Sequence, residues 1–259
     1  MSKKRVYSLA WFIPLLPLSI AAILYFGNQQ TSSFIFLNRF TQFFPDTLWA
    51  WLTYLGNGWG LFSIAFPLLL LAPRLLSASI FAAAISGILI SILKPFLNLP
   101  RPAGVLSEGS FHRIGDALLQ NSMPSGHTLT AFAVASAIFF TSPKEKRKPL
   151  LLLFLLAAFV GLSRIGVGAH WLTDVLAGAG IGFWCGLLGA KLSRYIPEKS
   201  LAPNKAWPRF IALGGLLCLY VLLTQKMDLD LNRPLQFASA TLIVITLIFF
   251  AKSQGKKAA

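Results

Sequence analysis

Acidic side chains are scarce: eight Asp and Glu stand against 23 Lys and Arg, and charged residues of both signs fill only 12% of 259 positions. Soluble domains carry about a quarter charged residues, so an ordinary water-soluble globule is excluded. A chain that is 56% hydrophobic, holds 22 Phe and has a mean hydropathy of +0.68 instead suits a bilayer. Cysteine is as rare. Cys185 and Cys218 each sit inside an apolar run with no Cys or His at ligand spacing, and no H-E-x-x-H occurs; they read as small buried hydrophobes, not as a disulfide or zinc framework. Repeats, low-complexity tracts and long linkers are missing too, which leaves one integral membrane domain over 1–259.

The formal charge of +15 could suggest nucleic acid, but nucleic-acid binders gather Lys and Arg on one face of a soluble domain. Here the basic residues fall in short runs between apolar segments, the pattern of loops facing the cytosol, so no nucleic-acid partner is expected. Eight spans are expected, near 9–26, 49–72, 75–95, 126–142, 149–166, 171–191, 208–225 and 235–251. The N-terminal SKKR and the apolar run after it resemble a secretory signal, but bulky ILYF follows Ala21 and Ala22 where a cleavage region would stand, so a retained first span is expected. Between the first two spans, FIFLNRFTQFF groups Phe34, Leu37, Phe40 and Phe44 on one helical face, which suggests a short interfacial helix, with an aromatic loop as the alternative. Assigning the Lys and Arg residues to alternate span ends puts 16 on one side, including the PKEKRKP run at 143–149, and 7 on the other. The richer side is expected to be cytosolic.

Charges close to apolar spans are costly and mark function, and on the poorer side they form three groups. KPFLNLPRP supplies Lys94 and Arg101, with Pro95, Pro100 and Pro102 expected to stop the helix. NSMPSGH opens the fourth span with Ser125, Gly126 and His127, and SRIGVGAHWLTD carries Ser163, Arg164, His170 and Asp174. Ends of odd spans and starts of even spans share a membrane face, so the groups can converge. Three cations and the free amides of a helix start make a socket for a phosphate-like dianion. His170 and Asp174, four apart, can meet on a helix, where the carboxylate fixes the ring tautomer and frees the other nitrogen to attack. His127, from another segment, can protonate a leaving oxygen.

Taken singly, each group has a plain reading. Lys94 and Arg101 suit snorkelling cations, P-S-G-H suits a turn and helix cap, and H-x3-D suits an exposed or capping pair. Joint occurrence on one face sets the plain readings aside.

K-x6-R-P, P-S-G-H and S-R-x5-H-x3-D, in this order, resemble the signature of the type 2 phosphatidic acid phosphatase superfamily over roughly residues 50–190. The resemblance implies an all-α polytopic transmembrane bundle: a six-helix phosphatase core over 50–190 and two extra C-terminal spans over 208–251. It implies that His170 is the nucleophile forming a phosphohistidine, Asp174 its partner and His127 the general acid. Lys94, Arg101, Ser125, Gly126 and Arg164 would hold the phosphate, with no metal or other cofactor. The implied partner is a lipid phosphate or diphosphate in the outer half of a membrane; undecaprenyl diphosphate is favoured, with phosphatidylglycerol phosphate, phosphatidic acid and lipid A phosphates as alternatives. A bacterial inner membrane, with the site facing the periplasm, suits the charge pattern. Vanadium haloperoxidases share the motifs but are soluble. Glucose-6-phosphatase-like enzymes share them but act on a sugar phosphate, and a non-catalytic transporter or scaffold of the same fold is the remaining alternative. In the outer loop 103–123, Glu108, His112, Arg113 and Asp116 are either solvated or in touch with the head group. Trp171 is expected in the interfacial aromatic belt, with a place in the pocket wall as the alternative, and GAGIG at 178–182 in close helix packing.

Overall fold

The computed structural model describes residues 9–254, which are helical with no strand among them. Lys3, Lys4, Arg5, Lys256 and Lys257, used in the sidedness count, lie outside the described residues. The helices run α1 (Leu15–Phe26), α2 (Gln30–Thr41), α3 (Asp46–Tyr54), α4 (Gly58–Ala65), α5 (Leu68–Leu71), α6 (Pro73–Leu97), α7 (Gly126–Thr141), α8 (Arg147–Gly166), α9 (Leu172–Ser193), α10 (Ala206–Thr224) and α11 (Arg233–Gln254). Five helical segments, Pro73–Gly104, Lys144–Gly166, Leu172–Ser193, Glu198–Thr224 and Asp230–Gln254, are long and apolar enough to cross a membrane; α1 and α7 are apolar but shorter. The chain is a multi-pass membrane protein.

The run expected as one span over 49–72 is three short helices. Asn57 breaks it: its backbone is extended, and its Oδ1 accepts from the Trp59 and Gly60 N–H groups, so it caps α4 and ends the preceding helix. Pro67, which has no N–H to give, makes the second break, between α4 and α5. A Cβ on Gly56 would lie 2.8 Å from the Cβ of His127, so the first break lets backbone lie against that histidine. At the end of α6 the proline expectation fails. The helix runs through Pro95 to Leu97, and Asn98 stops it in the left-handed region at φ 42°, its N–H on the Lys94 carbonyl at 2.9 Å. A side-chain amide tolerates that conformation better than most residues.

α9 is the hub, packing on α7, α6, α1 and α8. Gly178 and Gly182 allow this approach: a Cβ at either would strike the α7 backbone, at 2.7 Å from the Ser125 carbonyl oxygen for Gly178 and closer still to the Leu129 carbonyl for Gly182. Without a hydrophobic drive between helices in lipid, such backbone proximity is what holds them. It also sets α7 in register with α9, so that the Ser125 N–H donates to the Asp174 carbonyl at 3.0 Å. Gly182→Leu should therefore cost ~1–3 kcal/mol or more by overpacking. A thermal melt of the detergent-solubilised protein checks this, and an unchanged midpoint would contradict the close approach.

The expected short helix exists as α2; Phe36 and Phe40 stay exposed on it, while its other side packs into the protein. Phe34 is fully buried, edge-on to Phe111 and Trp171 at ring distances of 5.3 and 5.2 Å. Asn38, outside the face formed by Phe34, Leu37, Phe40 and Phe44, is buried as well, its amide donating to the Ile165 and His112 carbonyls at 2.9 Å. α10 and α11 pack on each other and on α4 through a core that includes Phe66, Leu76, Cys218, Leu222 and Ile243. The loop joining them leans on the site end of the bundle, where Trp51 donates to the Leu231 carbonyl at 3.1 Å.

Candidate active site

Lys94, Arg101, His127, Arg164, His170 and Asp174, drawn from three separated stretches of chain, gather at one end of the bundle. The loop between α6 and α7 fixes the two leading cations. Lys94 Nζ donates to the Asn121 carbonyl at 2.9 Å, while Arg101 Nε donates to Gln120 O at 2.8 Å and its terminal nitrogens reach Ala169 O at 3.1 Å and Asn121 O at 3.3 Å. Arg101 is only 9% exposed and still points one N–H at His170 Nε2, 3.2 Å away. Arg164, 6% exposed, donates to Thr53 Oγ1 at 3.3 Å, and Thr53 in turn shares a 2.8 Å hydrogen bond with Ser163. Arg164 Nε has no hydrogen-bond partner among the described residues. A buried guanidinium with an unspent donor is costly alone and suited to an incoming anion.

The His170–Asp174 pair is buried to 2% and 1% exposure, with Nδ1 and Oδ2 at 3.2 Å. The same oxygen accepts the Ser122 hydroxyl and, at 2.9 Å, the Trp171 N–H at the start of α9. Asp174 thus caps its helix and orients the ring, so the plain and functional readings of H-x3-D both hold. An ionised carboxylate only accepts, so His170 carries its proton on Nδ1 and exposes the Nε2 lone pair to the Arg101 N–H. Burial, then Arg101 and Arg164 nearby, pushes the His170 pKa well below the ordinary 6.5. The ring is neutral at neutral pH, the state a nucleophile needs.

Ser125 is fully buried and N-terminal to α7, but its N–H is spent on Asp174 and its hydroxyl accepts from Thr128 at 2.9 Å. The free amides at the α7 start are therefore those of Gly126 and the residues after it. His127 Nε2 lies 3.2 Å from Asp228 Oδ2, a carboxylate in the loop between α10 and α11, with side-chain exposures of 19% and 23%. The Asn57 amide donates to the same Asp228 oxygen at 2.9 Å. Burial alone would raise the Asp228 pKa, but His127 beside it, Arg164 and the Asn57 amide outweigh that and hold it well below the carboxylate range.

Asp228, Asn57, Thr53 and Ser122 were not singled out in the sequence. Ser122 stands inside NSMPSGH and Asn57 in the G-N-G break of an apolar run, which were available signals; Asp228 carried none. Trp171 is 2% exposed, packed edge-on to Phe34, with its indole N–H on the Pro100 carbonyl at 2.9 Å, so it is an interior residue and not an exposed belt residue. In the outer loop, His112 Nε2 meets Asp46 at 2.8 Å and Arg113 meets Glu108 at 3.4 Å.

The PAP2 superfamily model matches residues 75–197, a stretch that holds all three motifs but neither Asn57 nor Asp228. The crystal structure of Aquifex aeolicus LpxE aligns with a TM-score of 0.56 and 32% identity, over 63% of this chain and 95% of that one. The chain belongs to the PAP2 superfamily. A lipid A 1-phosphatase of Porphyromonas gingivalis is 39% identical over 39% of this chain and 23% of its own length. A lipid A 1-phosphatase of Rhizobium johnstonii is 32% identical over 49% of this chain and 52% of its own length. The chain thus spans about half or less of these curated relatives.

Proposed function

We propose that the protein is a membrane phosphatase that removes phosphate from a lipid phosphate monoester or diphosphate through a phosphohistidine on His170. The observation that carries this reading is the buried His170, its Nε2 3.2 Å from an Arg101 nitrogen and its Nδ1 3.2 Å from the Asp174 carboxylate. A phosphate drawn between Lys94, Arg101, Arg164 and the α7 amides would sit in front of that lone pair. Nε2 attacks phosphorus, and the P–O bond to the leaving group breaks as His127 gives that oxygen a proton. His127, now neutral, then takes a proton from water; the hydroxide attacks phosphorus, the P–N bond breaks, and phosphate leaves. The cations hold the charge on the non-bridging oxygens throughout.

Four features support a lipid substrate: the multi-pass fold, the short loops around the site, the names of the two lipid A 1-phosphatase relatives, and α7 itself. At about 1.5 Å per residue, the 16 residues of α7 rise about 24 Å, less than a hydrocarbon core of about 30 Å, so its N-terminal end suits a substrate entering from the bilayer. The charge pattern supports a bacterial inner membrane with this end facing the periplasm. Undecaprenyl diphosphate, favoured by the family resemblance alone, and the 1-phosphate of lipid A, suggested by the names of two relatives, are the leading substrates. A phosphate-release assay on both, with phosphatidylglycerol phosphate, phosphatidic acid and glucose 6-phosphate alongside, separates them. Release from a lipid, unchanged in EDTA, is expected, because a socket of cations supplies what a metal would; release from glucose 6-phosphate alone, or release lost in EDTA, would reject the reading.

A further inference from the structure

α10 and α11 fall outside the residues matched by the family model, yet the loop between them places Asp228 Oδ2 on His127 Nε2 at 3.2 Å. The contact is built from several sides. Asp228 adopts the left-handed region at φ 54°, a conformation that Asp tolerates better than most non-glycine residues. Asn57, while capping α4 with its oxygen, turns its amide to the Asp228 carboxylate. The Leu229 side chain closes on Gly115 of the outer loop, where a Cβ would lie 2.5 Å from it, and the buried Asn232 ties the loop to itself through the Met227 carbonyl at 3.3 Å.

We propose that Asp228 is a positioning residue for His127, so that each imidazole of the site has its own carboxylate: Asp174 for His170 and Asp228 for His127. This rests on the phosphatase reading above. An ionised Asp228 accepts the Nε2–H of His127, which fixes the ring and leaves Nδ1 as the nitrogen that hands a proton to the leaving oxygen and later takes one from water. The opposing charge also works in favour of the protonated ring before the first step, against burial and the cations Arg164 and Lys94 that face it. The extra C-terminal helices thereby complete the proton-transfer half of the site, and Asn57 links that half to the break in the second apolar run.

Leaving-group dependence tests the assignment, because a poor alkoxide leaving group needs the proton and a nitrophenolate does not. Wild type, Asp228→Asn, Asp228→Glu, His127→Asn and the Asp228→Asn/His127→Asn double variant are compared on dioctanoyl phosphatidic acid and 4-nitrophenyl phosphate in detergent, with His170→Ala as background. Asp228→Asn is expected to lose about 10–100-fold in kcat on the alkyl ester, the scale of lost orientation of a functional imidazole, and several-fold less on the aryl ester. Asp228→Glu should recover part of the alkyl activity, and the double variant should be no slower than His127→Asn. Equal losses on both esters, multiplicative losses in the double variant, or an Asp228→Asn protein faster than wild type would each overturn the assignment. A wild-type protein no faster than His170→Ala on both esters would instead sink the phosphatase reading itself.

Discussion

His170→Asn is expected to lower phosphate release by at least about 10⁵-fold, the scale seen when a nucleophile acting in a concerted unit is removed. Asparagine keeps a polar group near Asp174 but offers no lone pair on nitrogen to phosphorus. The loss should be in kcat, with lipid binding largely preserved, because Lys94 and Arg164 do not bond the imidazole and Arg101, besides its contact with Nε2, is held by the Gln120, Asn121 and Ala169 carbonyls. The wild-type pH profile carries a linked signature. His170 has its pKa pushed well below 6.5 by burial and by Arg101 and Arg164, so the ring of the free protein remains a nucleophile in mildly acidic solution. Its acid limb in kcat/KM should then lie well below pH 6.5. Below pH 6.5 the unfolded chain takes up the proton first, so this group's contribution makes stability fall as the pH drops towards the folded value. Steady-state kinetics from pH 4.5 to 8 would check the limb; one fixed at 6.5 would mean that the ring is not desolvated.

The second large effect is expected at Asp174. Asp174→Asn should cost about 10³–10⁴-fold in kcat, because an amide can present N–H to His170 Nδ1 and so favour the tautomer whose proton sits on the attacking nitrogen. The same change weakens the bond to the Trp171 N–H that caps α9, at about 0.5–2 kcal/mol. A thermal melt separates the two losses: a modest drop in midpoint with a catalytic loss of this scale is expected, whereas a loss in activity that only tracks unfolding would mean Asp174 is a cap alone. Ser122→Ala, which removes one of the donors to the same carboxylate oxygen, should lie between wild type and Asp174→Asn.

The motif residues were legible because their chemistry restricts residue type and span parity restricts place. A dianion needs Lys or Arg, an attacking ring needs its carboxylate one helical turn away, and all three groups had to lie at ends of spans facing one way. Lys94, Arg101, His127, Arg164, His170 and Asp174 are brought together in this way. Less legible was what joins the site only through tertiary placement. Thr53 and Asn57 sit in a run whose hydropathy reads as one span, but whose G-N-G segment breaks it beside His127. Asp228 lies in a loop of the last hairpin with ordinary neighbours, and nothing local to it points 101 residues back to His127. Hydropathy also misjudged direction: Asn38 is polar, yet two buried carbonyls give it more than water would, and Trp171 is amphipathic, yet its N–H finds Pro100 O inside the protein.

The most direct test of the central claim is a rapid acid-free quench of the protein turning over a ³²P-labelled lipid phosphate, followed by mapping of the labelled peptide. An acid-labile, alkali-stable phosphoramidate on His170 that forms and decays at rates compatible with turnover is expected. Label on another residue, or label that persists in His170→Asn, would contradict it.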